Sequence, residues 1–497
     1  MTHFHSFLFP RLQTEIPGLK LRPLRISAMI EPIVDGDGGI NCKTYYQFPD
    51  GLFCSVDAYA EPMRKGDTLD IYWGKDHKIF TRVLQDDEDG SNQPVFFFLP
   101  VTNILPGWVD EVYYVLTRAG STSPDEPATP LRILVKLDLP GGKDDEPHLP
   151  GHAKLHIVQL PRDVIVNGVD AVWAANGVPM VIPRYPNIAV RDVIQVQWGN
   201  AFLPPHTVSA DEAAGTAPIE ITAHKDDIVA GGDGNAQVVH YGIHDEVFNH
   251  SEKWSLRTPV KVMSGIRQLD EPIIQESVNG IIDLDKLNNR DVNVHVRAST
   301  SDFEVGDTVT MTWVGTPPTG APLPNRQSQR VESFPSILMF QIPNAQVRAI
   351  AMGTADVSYV RYKKDDGSAL PSRHELARVE GWIPAPVLTE AAGNTVSADI
   401  TSATVNIQYP GMTADDIVDM AWLGTKANGI PYLYEVRHIV SPQDVENHLV
   451  TLYVPGKHLR VLENGALNLF YRVSRDGPHW RGTHESGHQE INVLRFT

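Results

Sequence analysis

The sequence predicts an all-β chain: four tandem antiparallel β-sandwich domains in an elongated arrangement. Three observations carry that expectation. A strand pattern that opens on an acidic residue and ends in tryptophan beside a glycine occurs four times, at Asp67 to Trp73, Asp192 to Trp198, Asp307 to Trp313 and Asp416 to Trp422. The tryptophans are 125, 115 and 109 residues apart, the size of a small β domain and well above a solenoid period. Within each copy apolar and polar residues alternate with period two, so one strand face is buried and the other wet.

Each copy reads the same way from its start. A proline followed by aliphatics (Pro32, Pro161, Pro272, Pro386) predicts a first strand at a sheet edge, where a missing N–H does no harm. Turn signals follow at Asp35-Gly36-Asp37-Gly38, Asn167-Gly168, Asn279-Gly280 and Gly393-Asn394. Between turn and tryptophan lies another alternating run, clearest at 292–296 and 404–409. Beyond the tryptophan come strands at 95–99, 219–222, 337–342 and 449–454. The last two lead into short helical crossovers at 343–353 and 455–465, started by proline and stopped by glycine. Tyr114, Tyr241, Tyr359 and Tyr471 then mark a later strand, and closing strands are expected at 131–135, 260–263, 376–379 and 491–494. In a sandwich the four tryptophans and four tyrosines belong to the core.

Short strands, turns every 8–12 residues, a mid-domain tryptophan and a later tyrosine resemble the immunoglobulin and fibronectin type III group. The tryptophan and tyrosine strands together resemble the tandem immunoglobulin-like repeat proteins of Gram-negative bacteria, over residues 27–497. The inter-sheet cysteine pair of antibody domains has no counterpart here. On this division the chain has an N-terminal extension (1–26), four Ig-like modules (27–139, 152–264, 265–380 and 381–497) and a linker at 140–151. The linker is acidic and rich in proline and glycine, so it is expected to be extended, with the first module free to swing and the other three moving together.

Composition narrows the partners. Of 497 residues 42 are basic and 61 acidic, a net charge of −19 that repels a phosphate backbone and speaks against nucleic acid. No apolar run reaches the length of a membrane span. The first 19 residues lack a basic region and a cleavage site, so no classical signal peptide is read, and a surface or extracellular location leaves the export route unassigned. Cys42 and Cys54 flank a turn signal at 48–51. A local disulfide and two small core thiols are both open readings.

Candidate chemistry is sparse. His484-Glu485-Ser486-Gly487-His488 matches the zinc-peptidase spacing, in which two histidines share a helical face and the glutamate acts on metal-bound water. It lies in a variable loop close to the C-terminal residue, with glycine inside, which favours a polar loop over a metal site at His484, Glu485 and His488. The acidic turns at 35–38 and 86–90 suggest calcium but lack EF-hand spacing, so no cofactor is assigned. Trp108, Trp173, Trp254, Trp382 and Trp480 lie off the repeat pattern and are the better candidates for ligand contact. No nucleophile elbow, Walker or dinucleotide fingerprint occurs. The expected function is non-enzymatic: a binding or structural protein, adhesin-like or a spacer rod, of a bacterial surface or secreted system, with a protein or glycan partner. The alternatives are a secreted toxin or effector-associated protein that binds receptors or glycans and, more weakly, a metal-dependent hydrolase built on the last module.

Overall fold

The computed structural model describes residues 8–9, 21–59, 62–125, 127–148, 151–265, 267–278, 280–287, 290–299, 302–317, 322–351, 353–381, 383–409, 412–474 and 484–495. Strands hold 44% of the chain against 12% in helix, which makes the fold all-β. The sheets fall into four facing pairs, and each pair encloses its own apolar core.

The third pair shows the plan most fully. Its small sheet has the order Ile273–Ile274, Val292–Ala298, Ser336–Ile342. Its large sheet runs from an edge at Ser277–Val278 through Ile281–Asp283, the closing strand Glu375–Glu380, the tyrosine strand Thr354–Tyr362 and the tryptophan strand Thr308–Thr316 to an edge at Leu323–Arg330. Alternation in Val292, Val294, Val296 and in Val309, Met311, Trp313 turns these side chains inward, where they are buried. Most pairings are antiparallel, but the early strand joins the closing strand in parallel, Ile282 beside Val379. The same parallel contact recurs at Gly39 with Leu134, at Val396 with Val493, and as a single bridge at Val169 with Val262.

Glycines beside the tryptophans seat the crossovers. A side chain at Gly315 would collide with Ile350, and one at Gly424 with Leu462; both partners lie at or just beyond the end of the crossover helices Asn344–Ala349 and Lys457–Arg460. The helix therefore lies directly on the strand, which any Cβ would prevent.

Three expectations are corrected. The segment after Pro161 is not a strand but the helix Arg162–Asn167, followed by a second helix, Ala171–Asn176. Proline at the N-cap, Asp163 in the first turn and Gly168 at positive φ are helix signals, and they prevail over the aliphatic pair. The linker is pinned rather than free. The buried Asp144 carboxylate accepts the N–H groups of Glu146 and Ala153 and pairs with Lys253 at 2.9 Å, while the His152 ring, fully buried, is bonded to the Gly142 carbonyl.

The third correction concerns shape. A fifth apolar cluster joins the first sandwich to the fourth: Leu8, Phe9, Phe48, Phe53 and Phe98 pack with Ala421, Leu423, Leu433 and Phe470. The two ends of the chain meet, so the arrangement is closed and not elongated. Its physical cause is legible in two unbroken apolar runs, Val95–Leu99 and Leu469 to Tyr471, which bury both strand faces where alternation would bury one.

Candidate functional site: the clasped ends of the four sandwiches

The acid that opens each tryptophan strand is buried: Asp67, Asp192, Asp307 and Asp416 are 0%, 0%, 1% and 0% exposed. All four use one geometry. Each carboxylate accepts the backbone N–H three residues earlier, at Arg64, Ala189, Glu304 and Thr413, over 2.9–3.1 Å. Three accept a tyrosine hydroxyl as well: Tyr59 at 2.8 Å, Tyr185 at 3.0 Å and Tyr409 at 2.9 Å. A buried charge needs such partners or it neutralises.

The source of the cation differs between sandwiches. Asp67 has Arg118 of its own sandwich at 3.4 Å. Asp192 takes Lys136 at 3.2 Å, which stands just past the closing strand of the first sandwich. Asp416 takes Arg348 at 3.3 Å from the crossover helix of the third. Among the described residues no ion pair reaches Asp307, which adds only the Lys364 N–H. Burial pushes the Asp67 carboxyl up, but its hydrogen bonds and Arg118 outweigh this and hold it below the usual range. At Asp192 burial prevails over Lys136 and the carboxyl is raised.

A second clasp holds the tyrosine strand. Ser255, Ser372 and Ser486 each donate their backbone N–H to the carbonyl of Tyr241, Tyr359 and Tyr471, and accept that tyrosine's N–H on the hydroxyl at 2.9–3.0 Å. In the first sandwich Ala128 makes only the backbone half of this bond, to Tyr114. The zinc-like motif is thereby explained, because its central Ser486 is the clasp serine. His484–Glu485 form a short strand on the tyrosine strand, so the extended backbone cannot stack the two histidines on a helical turn. Glu485 meets Arg472 at 2.8 Å; His488 lies flat on Phe470 at 4.2 Å and is bonded to Asn468. Burial raises the Glu485 carboxyl, yet His488 and Arg472 together bring it down to about 2.

The remaining candidates are used locally. Trp73, Trp198, Trp313 and Trp422 are buried in four separate cores with Tyr114, Tyr241, Tyr359 and Tyr471. Of the two open readings for Cys42 and Cys54 the disulfide does not form: both are free thiols, Cys42 half-buried at the start of a helix, Cys42–Tyr45, and Cys54 in the core. Burial pushes both thiols up. In the acidic turns the carboxylates diverge to cations, Asp35 to Arg191, Asp86 to Lys65, Asp87 to Lys426 and Glu88 to Arg82. Among the described residues no three His, Cys, Asp or Glu side chains converge as a metal-holding group.

Trp108 stacks under the Arg132 guanidinium, Trp173 donates its indole N–H to Asp163, and Trp254 meets His240 and Phe202 on the outer face of the second sandwich. Trp382 and Trp480 lie outside the described residues. No helix among the described residues is long and apolar enough to cross a membrane. The aspartate six residues before every tryptophan marks the repeat in the sequence, though not its buried role, and the clasp serines have a signal of their own, a serine 13 to 15 residues after three of the tyrosines.

No family model and no curated protein matches the chain. Among solved structures it is similar to a chain from a study of host cell surface retention of a 1.5-MDa bacterial ice-binding adhesin. That match has 13% identity, covers 70% of this chain and 99% of the other, and has a TM-score of 0.16. A likeness so slight carries no argument about function.

Proposed function

We propose that this chain is a non-enzymatic, multi-domain binding protein of a bacterial surface or secreted system, built from four Ig-like domains at 27–139, 152–264, 265–380 and 381–497. One observation carries the reading. The aspartate, tryptophan and tyrosine that recur in all four copies are spent on internal structure: the aspartate ties a loop to its strand, the tryptophan and tyrosine fill the core, and in the third and fourth copies the glycine beside the tryptophan seats the crossover. What differs between copies is the outer faces and loops, where binding functions reside when a scaffold is held constant. The strand orders and the parallel contact between an early and the closing strand support the Ig-like assignment. The partner class is a protein or glycan on another cell or assembly, no cofactor is required, and the acidic surface keeps nucleic acid away.

The test is a glycan array run beside a cell-binding assay, both with the intact chain. Saturable binding that survives chelation and is unaffected by His488→Ala is the expected result. Stoichiometric zinc together with hydrolysis that His488→Ala abolishes would replace this reading with the hydrolase.

A further inference from the structure

The contact between the first and fourth sandwiches is made by faces that carry large aromatic and aliphatic side chains outward. On the small sheet of the first, Phe53 and Phe98 are register partners and Phe96 stands beside Ser55; all four point away from the core of that sandwich. The same outward positions pair His295 with Met339 and Arg297 with Ile337 in the third sandwich, and Thr404 with Tyr453 and Asn406 with Thr451 in the fourth; Ile337, Met339 and Tyr453 stand exposed there. On the large sheet of the fourth, Ala421 pairs with Phe470 and Leu423 with Leu433, again outward. There the third sandwich has Thr310, Thr312 and Ser358, with Val314 where the fourth has Leu423, and the second has Gln195 and Gln197. On the first and fourth sandwiches these apolar side chains cover one another, whereas Ile337, Met339 and Tyr453 on the small sheets of the third and fourth stand exposed.

The rim of the contact is complementary in charge and polarity. Lys426 of the fourth sandwich meets Asp87 of the first at 2.5 Å, and the Glu435 carboxylate accepts the Leu8 N–H. Phe9 lies against Phe53 and Phe96, with the Arg25 guanidinium over its ring, so the N-terminal residues wedge the seam from one side. His488 covers Phe470 from the other.

The joints differ in how firmly they are fastened. Lys136 fixes the first sandwich to the buried Asp192 of the second, and Arg348 fixes the third to the buried Asp416 of the fourth. Asp307, the corresponding acid between the second and third, takes no ion pair among the described residues. That joint is held instead by Gln268, which donates to the Val229 carbonyl, and by Arg373 packed near Gly232, so two halves, each fastened by a buried ion pair, meet at their outer ends.

We infer that the seam between the first and fourth sandwiches is a separable clasp, and that its two faces accept the opposite faces of a second copy of this chain. Opening the clasp exposes phenylalanine and leucine on both ends. A second opened copy offers the only surfaces already complementary to them, including the Lys426–Asp87 pair. Two opened chains exchanging ends form a closed, two-fold dimer with both seams satisfied, the low-cost route by which identical elements swap.

The experiment uses two full-length variants, Phe98→Asp, which disables the first face, and Leu423→Asp, which disables the fourth. Neither can close on itself or pair with its own kind, because each lacks one half of every seam. Mixed, the intact fourth face of the Phe98→Asp chain meets the intact first face of the Leu423→Asp chain. Each variant alone is expected to scatter as an expanded monomer, and the equimolar mixture to give a particle of twice the chain mass. If both variants stay as compact as the parent, the seam is not a clasp; if they expand but the mixture stays monomeric, the faces do not accept a second copy. Either result overturns the inference. Should a buried aspartate prevent folding, Phe96→Asp, at a half-buried position on the first face, and Leu423→Ser, a milder change on the fourth, repeat the test.

Discussion

At the level of single residues the strongest commitments in this chain are its buried charges. Arg348 and Asp416 lie 7% and 0% exposed across the joint between the third and fourth sandwiches. Removing one member of such a pair leaves the other charged in a site without water, which costs about 3–5 kcal/mol. Arg348→Met is therefore expected to destabilise the fourth sandwich by about 3 kcal/mol in urea denaturation, and Asp416→Asn in the same chain to recover part of the loss. Equal stability of Arg348→Met and the parent would show that the pair is idle. Two histidines set the acid response. Burial, aided by Arg257, lowers His240 to about 4, and burial, aided by Lys457, does the same for His458. The unfolded chain protonates these rings below about pH 6.5 while the fold keeps them neutral. Their contribution is thus complete above about pH 6.5 and drains away as pH falls towards 4, on the order of 1–3 kcal/mol for each ring. Melting temperatures of His240→Gln and His458→Gln across that window check this: each variant should lose less stability on acidification than the parent.

The elements show what a sequence discloses and what it withholds. Tryptophan and tyrosine strands were legible because alternation with period two is a local property, and each strand lies where that pattern put it. The helix after Pro161 was not, because two aliphatics suit either state and the decision came from its cap residues. The zinc-like motif misleads for a related reason: its spacing has meaning only on a helix, and Ser486 binds this stretch to the tyrosine strand instead. The aspartates were visible at a constant offset from each tryptophan, but their partners lie on a neighbouring loop, or in a neighbouring sandwich, that no local pattern connects. Because Trp313 belongs to one core of the four, Trp313→Ala is expected to cost about 3–5 kcal/mol in the third sandwich. The other three should keep their own transition. Calorimetry distinguishes a split transition from a single cooperative loss, and the latter would mean that the cores are not independent.

For the whole molecule the governing fact is that the ends meet, and it follows from pairs of strands with two apolar faces rather than from the linker. Proline, glycine and acidic residues at 140–151 suggest a loose tether, yet Asp144 is buried within it, His152 is buried directly after it, and Lys136, Asn41 and Asn249 tie the sandwiches on either side. Linker composition sets stiffness only where nothing binds the linker. The difference in shape is large enough to measure. A sandwich with strands of nine to eleven residues is roughly 35–40 Å long. Four of them end to end would therefore have a radius of gyration of about 45 Å. Four globules of ~115 residues, each about 13 Å in radius of gyration and each touching two neighbours, give about 25–28 Å. Small-angle scattering on the intact chain should return the smaller value at neutral pH. It should hold in high salt, because the seam is apolar and its one exposed ion pair contributes little. A value near 45 Å would restore the rod and make the fifth apolar cluster the wrong guide to the shape of this chain.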